Sequence, residues 1–200
     1  MRYSTDRKEV THRRVLGVAA NDLRRGGVRA ISVAGVMARA GLTHGGFYGH
    51  FPSKDALLAE TMDLMTEQAM AQYLRLTSGL PAADALRAYV DHYLLQDQRD
   101  RALQASPHPM IVTEVRHLGD APRRQFARGL TALVNELTRH VRQLGHAEPQ
   151  ELAWSVMNEL IGAMSVAGAL PDLDSTTAVL ERARRAIYSR LGLERDARRP

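Results

Sequence analysis

Several features that other protein classes require are missing from this sequence of 200 residues. It contains no cysteine, which excludes disulfide scaffolds, cysteine-ligated zinc sites, cysteine nucleophiles and thiol-based redox sensing. No apolar run approaches the roughly 18 residues that a membrane helix needs. The charged segment 1–9 lacks the apolar stretch of a secretory signal. We therefore expect a cytoplasmic protein without a membrane partner.

Signatures of common catalytic and cofactor sites are also missing. The sequence has no P-loop, no dinucleotide-binding glycine pattern and no G-x-S-x-G elbow. Eight histidines invite a metal site, but His108 and Glu114 are separated by a proline and do not have the spacing of a helical ligand pair. We therefore predict no catalytic residue, no cofactor and no metal site.

Charge is distributed unevenly along the chain. Residues 1–54 carry ten basic and three acidic side chains, residues 55–180 carry ten and sixteen, and residues 181–200 carry seven and three. A basic N-terminal module on an acidic body is typical of a protein that binds a polyanion. A solvated arginine-rich surface is the alternative that charge alone leaves open.

Apolar residues recur at helical spacing throughout, and no segment alternates long enough to predict a strand. Glycine and proline punctuation ends the helices, and the predicted caps are Asp6, Ser32, Thr43 and Ser53. The predicted buried faces include positions 15, 16, 19, 20 and 23 of the first helix and positions 86, 89, 90, 93 and 94 of the helix at 81–95. The predicted helices cover residues 6–25, 32–40, 43–50, 53–77, 81–95, 110–118, 123–144, 149–170 and 175–191, and residues 194–200 are predicted to be a disordered tail.

The segment 32–58 carries the most information. Its order is helix, glycine turn, short helix, Phe-Pro stop and helix, as in a helix-turn-helix DNA binder. Three glycines within residues 43–50 cost about 1 kcal/mol each relative to alanine in a helix interior. We interpret them as positions where the backbone approaches a phosphate or a groove edge. Phe47 and Phe51, four residues apart, are expected to anchor this short helix to the core.

Three polar side chains of this segment are predicted to contact phosphate. With the phenylalanines facing inward, Tyr48 and His50 are predicted to point elsewhere, with donors free for phosphate. Lys54 falls in the first turn of a helix, where a cation opposes the helix macrodipole. This position is explained if a phosphate also binds there. An exposed lysine without a function is the alternative.

Residues 8–60 resemble the DNA-binding domain of the TetR family of bacterial transcriptional regulators. The most specific match is Gly-Gly-Phe-Tyr at 45–48 followed by His-Phe-Pro-Ser-Lys at 50–54. The rest of the chain resembles the family only in length and helix order. The resemblance implies an all-α homodimer, with an N-terminal three-helix helix-turn-helix DNA-binding domain (1–53) and a C-terminal helical effector-binding and dimerisation domain (54–193).

The resemblance also implies DNA contacts at matching positions. Gly35 stands where a polar residue is more usual, so one backbone contact is expected to be missing. His44 occupies a variable position and is expected to influence operator choice. The implied DNA-binding residues are Ser32, Tyr48, His50 and Lys54 on phosphates, and Thr43, His44, Gly45 and Gly46 near base edges and backbone.

The effector pocket and the dimer interface are predicted from apolar residues and a few polar groups between helices. Each of these residues also fits an ordinary core. The candidates for the effector are Met62, Tyr89, His92, Tyr93, Met110, Glu114, Trp154 and Asn158. The candidates for the dimer interface are Phe126, Leu130, Leu133, Leu137, Val141, Met157, Ile161 and Met164.

We therefore predict a transcriptional repressor that binds a palindromic operator in double-stranded DNA as a homodimer and is released by a small-molecule effector. One alternative is a small-molecule carrier or an enzyme that uses the helical pocket without sequence-specific DNA binding. A second alternative is a regulator without a ligand that works through a protein partner.

Overall fold

The computed structural model describes residues 2–94 and 111–194, and the side chains from Arg7 onward. Within these residues every regular element is a helix, which confirms the all-α prediction. The α-helices are α1 (Arg2–Gly26), α2 (Val33–Arg39), α3 (Lys54–Thr77), α4 (Ala82–Leu94), α5 (Asp120–Gln143), α6 (Pro149–Ala169) and α7 (Leu173–Leu191). Shorter 3-10 helices cover Val28–Ala30, His44–Gly49 and Val115–His117.

Several helix ends are set by the residues that the sequence marks as caps. The Ser32 hydroxyl accepts the Gly35 N–H at 3.1 Å, and the Ser53 hydroxyl accepts the Ala56 N–H at the same distance. Both predicted serine caps are thereby confirmed. α1 begins at Arg2 rather than at the predicted cap Asp6, since residues 2–5 contain no glycine or proline to stop a helix.

Two of the predicted short helices contain 3-10 structure. The glycine-rich segment is a 3-10 helix in which Gly46 N–H bonds to Thr43 O at 3.1 Å, so the Thr43 side chain makes no capping bond. Residues 113–119 form a turn and the Val115–His117 3-10 helix instead of continuing an α-helix. Residues 111–112 are α-helical, and the 3-10 turn that follows is typical of short connectors.

The chain divides into two compact units. Unit 1 consists of residues 1–69 and 110–130, and unit 2 consists of residues 70–109 and 131–200. α3 and α5 each contribute residues to both units. The functional boundary predicted after residue 53 stays a prediction.

Unit 1 has one hydrophobic core. α1 packs on α2, and α2 packs on the His44–Gly49 helix. α1 buries the predicted side chains at 15, 16, 19, 20 and 23. The segment after residue 110 belongs to this core, because Ile111 is fully buried in it. The largest side chains of the core are Leu23, Met37, Phe47, Phe51, Leu57, Leu58, Met65 and Ile111.

Unit 2 is built on α6, which packs against α7, while α4 packs against both. α4 buries the side chains predicted to face inward at 86, 89, 90, 93 and 94. Tyr73 and Tyr89 meet edge to face, with ring centroids 4.8 Å apart, and Tyr73 Oη lies 2.6 Å from His140 Nδ1. Burial raises the pKa of both tyrosines.

Candidate nucleic-acid interface

The eight predicted DNA-contacting residues all lie in unit 1, on three elements that follow one another along the chain. Ser32 caps α2, Lys54 begins α3, and the other six lie at or within the 3-10 helix His44–Gly49 and its two ends. All of them are exposed except His50, which is half-buried. None of these residues is therefore buried in the hydrophobic core. Their contact with DNA stays a prediction.

The glycines of the 3-10 helix are not needed by the described part of the chain. Gly45, Gly46 and Gly49 all have ordinary negative φ angles. A Cβ at Gly45 or Gly49 would meet nothing within 4 Å, and a Cβ at Gly46 would make only ordinary contacts at 3.8 Å. Alanine would favour a helix by roughly 1 kcal/mol at each position. The choice of glycine at these three positions is explained if the surface of another molecule lies against this backbone.

Two phenylalanines hold this short helix in place. Phe47 is 1% exposed and Phe51 is fully buried, with stacked rings whose centroids are 5.6 Å apart. Tyr48 meets the edge of Phe47 at 5.3 Å but is itself 71% exposed. The predicted inward phenylalanines and outward tyrosine are confirmed, and the Tyr48 hydroxyl is presented to solvent.

Lys54 is exposed and lies where its charge is unfavourable for the helix. It is exposed at the first position of α3, and no ion pair among residues 2–94 and 111–194 includes it. A cation at a helix N-terminus opposes the macrodipole at a cost of about 0.3–1 kcal/mol. An anion bound beside Lys54 would offset this cost.

Arg39 is a candidate contact that sequence reasoning missed. A Cβ at Gly35 would lie 2.7 Å from Ser32 Oγ and 3.3 Å from Arg39 Nη1, so the guanidinium occupies the space beside the glycine. Asp22 of α1 pairs with Arg39 and holds it there. Arg39 therefore lies where it could make the DNA-backbone contact that Gly35, lacking a side chain, cannot make. The signal was present in the sequence, since residues 35 and 39 share a helix face.

Two histidines pack together beside the 3-10 helix. His12 of α1 stacks on Phe51 with centroids 4.4 Å apart, and its Nε2 lies 2.5 Å from Glu60 Oε2 of α3. The His50 ring lies 6.1 Å from the His12 ring. Partial burial, His12 and Lys8 together lower the pKa of His50. His50 is therefore mostly uncharged at neutral pH in the free protein.

Glu114, predicted as an effector ligand, is already occupied within unit 1. Its Oε2 accepts the Val28 N–H at 2.5 Å, and its Oε1 lies 4.0 Å from Arg29 Nε. Gly27 has a φ of 64°, and a Cβ there would collide with this carboxylate. Glu114 therefore ties the segment after residue 110 to the turn before α2. One carboxylate oxygen of Glu114 thus has a structural partner within unit 1, and contact of Glu114 with an effector stays a prediction.

The other effector candidates are divided between the two units. Met62 belongs to the core of unit 1, and Met110 lies outside the described residues. Unit 2 holds the rest: Tyr89 and Tyr93 are 5% exposed, His92 and Trp154 are half-buried, and Asn158 is exposed. Their contact with an effector stays a prediction.

Part of the predicted dimer interface is core. Four of its side chains are 0–1% exposed within the single chain and have no surface left for a partner: Leu133, Leu137, Val141 and Met157. Their apolar stripe is explained by packing inside unit 2. Core packing therefore accounts for these four side chains in the single chain, and their contact with a partner subunit stays a prediction. Ile161 is 8% exposed, and Phe126, Leu130 and Met164 are half-buried.

The described residues contain neither a cluster of metal ligands nor a membrane-spanning helix. No group of three or more His, Asp or Glu side chains in these residues is placed to hold a metal ion. No helix in them combines the length and the apolar character required to cross a membrane.

Comparison with known proteins gives one family match. Residues 15–61 match the model of the family described as bacterial regulatory proteins, tetR family. The match contains the helix-turn-helix segment, the glycine-rich 3-10 helix and Lys54. No curated protein matches the chain.

Solved structures show that the fold extends well beyond the matched segment. A TetR-family transcriptional regulator from Agrobacterium tumefaciens aligns with a TM-score of 0.78 at 20% identity, covering 92% of this chain and 98% of its own. The reduced form of NemR from E. coli gives 0.77 at 18% identity, covering 90% and 96%. A TetR regulator from Chloroflexus aurantiacus gives 0.75 at 20% identity, covering 94% and 96%. At these identities the likeness concerns the fold.

Proposed function

We propose that the chain is a transcriptional repressor of the TetR family, whose model matches residues 15–61, and that it binds a palindromic operator as a homodimer and releases it when a small-molecule effector binds. We propose further that it acts in the cytoplasm, on the chromosome. The functional division proposed is a DNA-binding domain at 1–53, an effector-binding and dimerisation domain at 54–193, and a tail at 194–200.

The observation that carries this proposal is the set of glycines at 45, 46 and 49. Neither their φ angles nor their packing within the described chain requires a glycine. A DNA backbone or groove edge in close contact would require the absence of a side chain there. The ten basic and three acidic residues of segment 1–54 supply the matching charge.

We assign the contacts by position. Thr43, His44 and Gly45, at the start of the 3-10 helix, face base edges in the major groove, and Gly46 allows close approach. Phosphate contacts are proposed for Ser32, Tyr48, His50 and Lys54, joined by Arg39. All these side chains are at least partly exposed, which supports the assignment.

Two-fold symmetry of a homodimer would place the two recognition elements about one helical turn of DNA apart, ~34 Å, or a multiple of it. For the interface we propose the exposed side of α6 and α7. Val166 is 51% exposed and Leu173 is 70% exposed, and exposed apolar side chains support a partner surface. Met164 and Ile161 remain candidates beside them.

Effector release requires that ligand binding changes the DNA-binding state by its differential affinity for two conformations. Two features of the chain support such a coupling. α3 begins at Lys54 in unit 1 and continues into unit 2. Glu114 ties the segment after residue 110 to the turn before α2. A change in either segment would reach residues that we place on DNA.

The division of labour between His44 and Lys54 tests the proposal. We expect Lys54→Ala to weaken binding to all duplexes and to lower the salt dependence by about one phosphate. We expect His44→Ala to change which base pairs are preferred. Fluorescence anisotropy with operator and scrambled duplexes at several salt concentrations measures both effects.

Arg128→Ala is the matched control, because Arg128 is an exposed cation of α5 outside the proposed contact surface. It should leave affinity and salt dependence unchanged. Equal losses on specific and scrambled DNA for both the His44 and Lys54 variants would contradict the assigned roles.

A further inference from the structure

We propose that Lys8 of α1 and His50 together hold one phosphate of the DNA backbone, and that His50 takes up a proton when that phosphate binds. This inference rests on the proposed DNA-binding function. It adds a phosphate subsite built from α1 and makes operator affinity depend on pH.

The position of His50 is fixed by its neighbours. Phe51, fully buried, follows it directly, and the His12 ring stacks on Phe51 with centroids 4.4 Å apart. The His12 and His50 rings are 6.1 Å apart. Glu60 of α3 holds His12 through the 2.5 Å contact with Nε2. His12 and Glu60 are therefore positioning residues that set where the His50 ring lies.

The two nitrogens of His50 have different surroundings. Nδ1 is shielded from solvent and has no hydrogen-bond partner within the described chain. The residue as a whole is half-buried, so Nε2 is the nitrogen that can serve an outside ligand. An N–H at Nε2 can donate to a phosphate oxygen, and the bond becomes charge-assisted when the ring is protonated.

Lys8 supplies the second positive group. It is exposed on α1, one helical turn before His12, and so shares a helix face with the residue whose ring centroid lies 6.1 Å from that of His50. No ion pair of the described residues includes Lys8. Glu9, next to it in sequence, pairs instead with Arg13. Neither Lys8 nor His50 forms an ion pair with a carboxylate within the described residues, which suits a bound anion.

The direction of the pH effect follows from the groups that face His50. These are His12 and Lys8 from α1, and Glu60 of α3 reaches the cluster through His12. Burial, His12 and Lys8 lower the pKa of His50 in the free protein. A phosphate beside the ring favours the charged form and raises that pKa in the complex. Binding therefore takes up a proton, and affinity increases as the pH falls between the two pKa values.

The test measures affinity for a fluorescein-labelled duplex carrying the selected operator, between pH of about 5.5 and 8, at constant ionic strength. For the wild-type protein we expect affinity to increase as the pH decreases, by up to ~10-fold per pH unit at the steepest point. His50→Gln should bind more weakly at low pH and show a flat profile. Lys8→Ala should lower affinity at all pH values and reduce the salt dependence by about one phosphate.

His117→Gln is the matched control, because His117 is an exposed histidine of unit 1 outside the proposed contacts; it should keep the wild-type profile. Thermal unfolding of each variant checks the fold. If His50→Gln does not fold, the ring proton signals of His50 in the wild-type protein, titrated with and without duplex, give the same answer. A pKa that rises on DNA binding supports the proposal.

A flat wild-type profile, a pH slope that survives in His50→Gln, an unshifted His50 titration, or a Lys8→Ala variant with unchanged affinity and salt dependence overturns the inference while leaving the DNA-binding function intact. A wild-type protein that binds no duplex at any pH overturns the DNA-binding function, and this inference with it.

Discussion

The residues singled out for function differ in exposure between the two units. In unit 1, the predicted DNA contacts Ser32, His44, Tyr48 and Lys54 are on the surface. Ser32 also caps α2, whereas Lys54 opposes the macrodipole of α3. In unit 2, the apolar and aromatic candidates for effector and dimer contacts are largely buried in the single chain. An exposed residue that lowers the stability of the free protein indicates a binding partner. A buried apolar side chain is already explained by core packing. A DNA site is therefore easier to infer from sequence than a pocket.

The largest effect that would sharpen this comparison comes from the neighbours Phe47 and Tyr48. Phe47→Ala removes a buried ring and should cost about 3–5 kcal/mol of stability, with loss of DNA binding through loss of the fold. Tyr48→Ala should cost about 1 kcal/mol or less while still weakening DNA binding. Urea unfolding and anisotropy on the same samples separate the two outcomes. Equal stability losses would show that Tyr48 belongs to the core and not to the DNA site.

The next effect concerns Glu114. Glu114→Ala leaves the Val28 N–H without its acceptor and should cost about 1–3 kcal/mol, with faster amide exchange at Val28. Glu114→Gln retains an acceptor oxygen and should lose less. Glu181→Ala, an exposed carboxylate of α7, is the control. If Glu114→Ala and Glu181→Ala unfold at the same urea concentration, the contact with Val28 does not stabilise unit 1.

In unit 2, Tyr73→Phe removes the hydroxyl that lies 2.6 Å from His140 Nδ1 and should cost about 1 kcal/mol at neutral pH. The raised pKa of Tyr73 means that the folded state keeps its proton more tightly than the unfolded state. Its stabilising contribution is complete below the ordinary value of 10.0 and is lost as the pH rises above it. The free energy of unfolding should be higher for the wild type than for Tyr73→Phe at neutral pH, and this difference should shrink at alkaline pH. A difference that does not change with pH would contradict this.

The smallest effect is the stability of Lys54→Ala. Removing a cation from the N-terminus of α3 should raise the free energy of unfolding by about 0.3–1 kcal/mol, although it weakens DNA binding. This opposition between stability and affinity is expected only at a residue that serves a ligand. Arg128→Ala should change neither quantity beyond about 0.5 kcal/mol. A destabilised Lys54→Ala protein would place Lys54 among residues that maintain the fold.

Much of the fold follows from sequence because its signals are local. Glycine and proline breaks, the Ser32 and Ser53 caps and the buried face of α4 depend on near neighbours, and all are found in the structure. The sequence predicts a helix at 43–50 but does not show that its hydrogen bonds follow the 3-10 pattern, which short helical segments often adopt.

What the sequence does not show at the candidate sites is contacts between residues far apart in the chain. Glu114 looked available to a ligand because the Val28 N–H that it accepts is 86 positions away. The His12 contact with Glu60 spans 48 positions. Met157 looked like an interface residue because the sequence does not show that α4 and α7 cover α6. Spacing within one helix predicts a face, but it does not predict what lies against that face.

The central claim is that residues 43–54 read DNA sequence. Selection of random duplexes by the purified full-length protein at about physiological salt, followed by sequencing, tests it most directly. The account predicts enrichment of a palindrome with half-sites about one helical turn apart or a multiple of it, lost in His44→Ala or replaced by another sequence. Weak, salt-sensitive binding that enriches no sequence would contradict it.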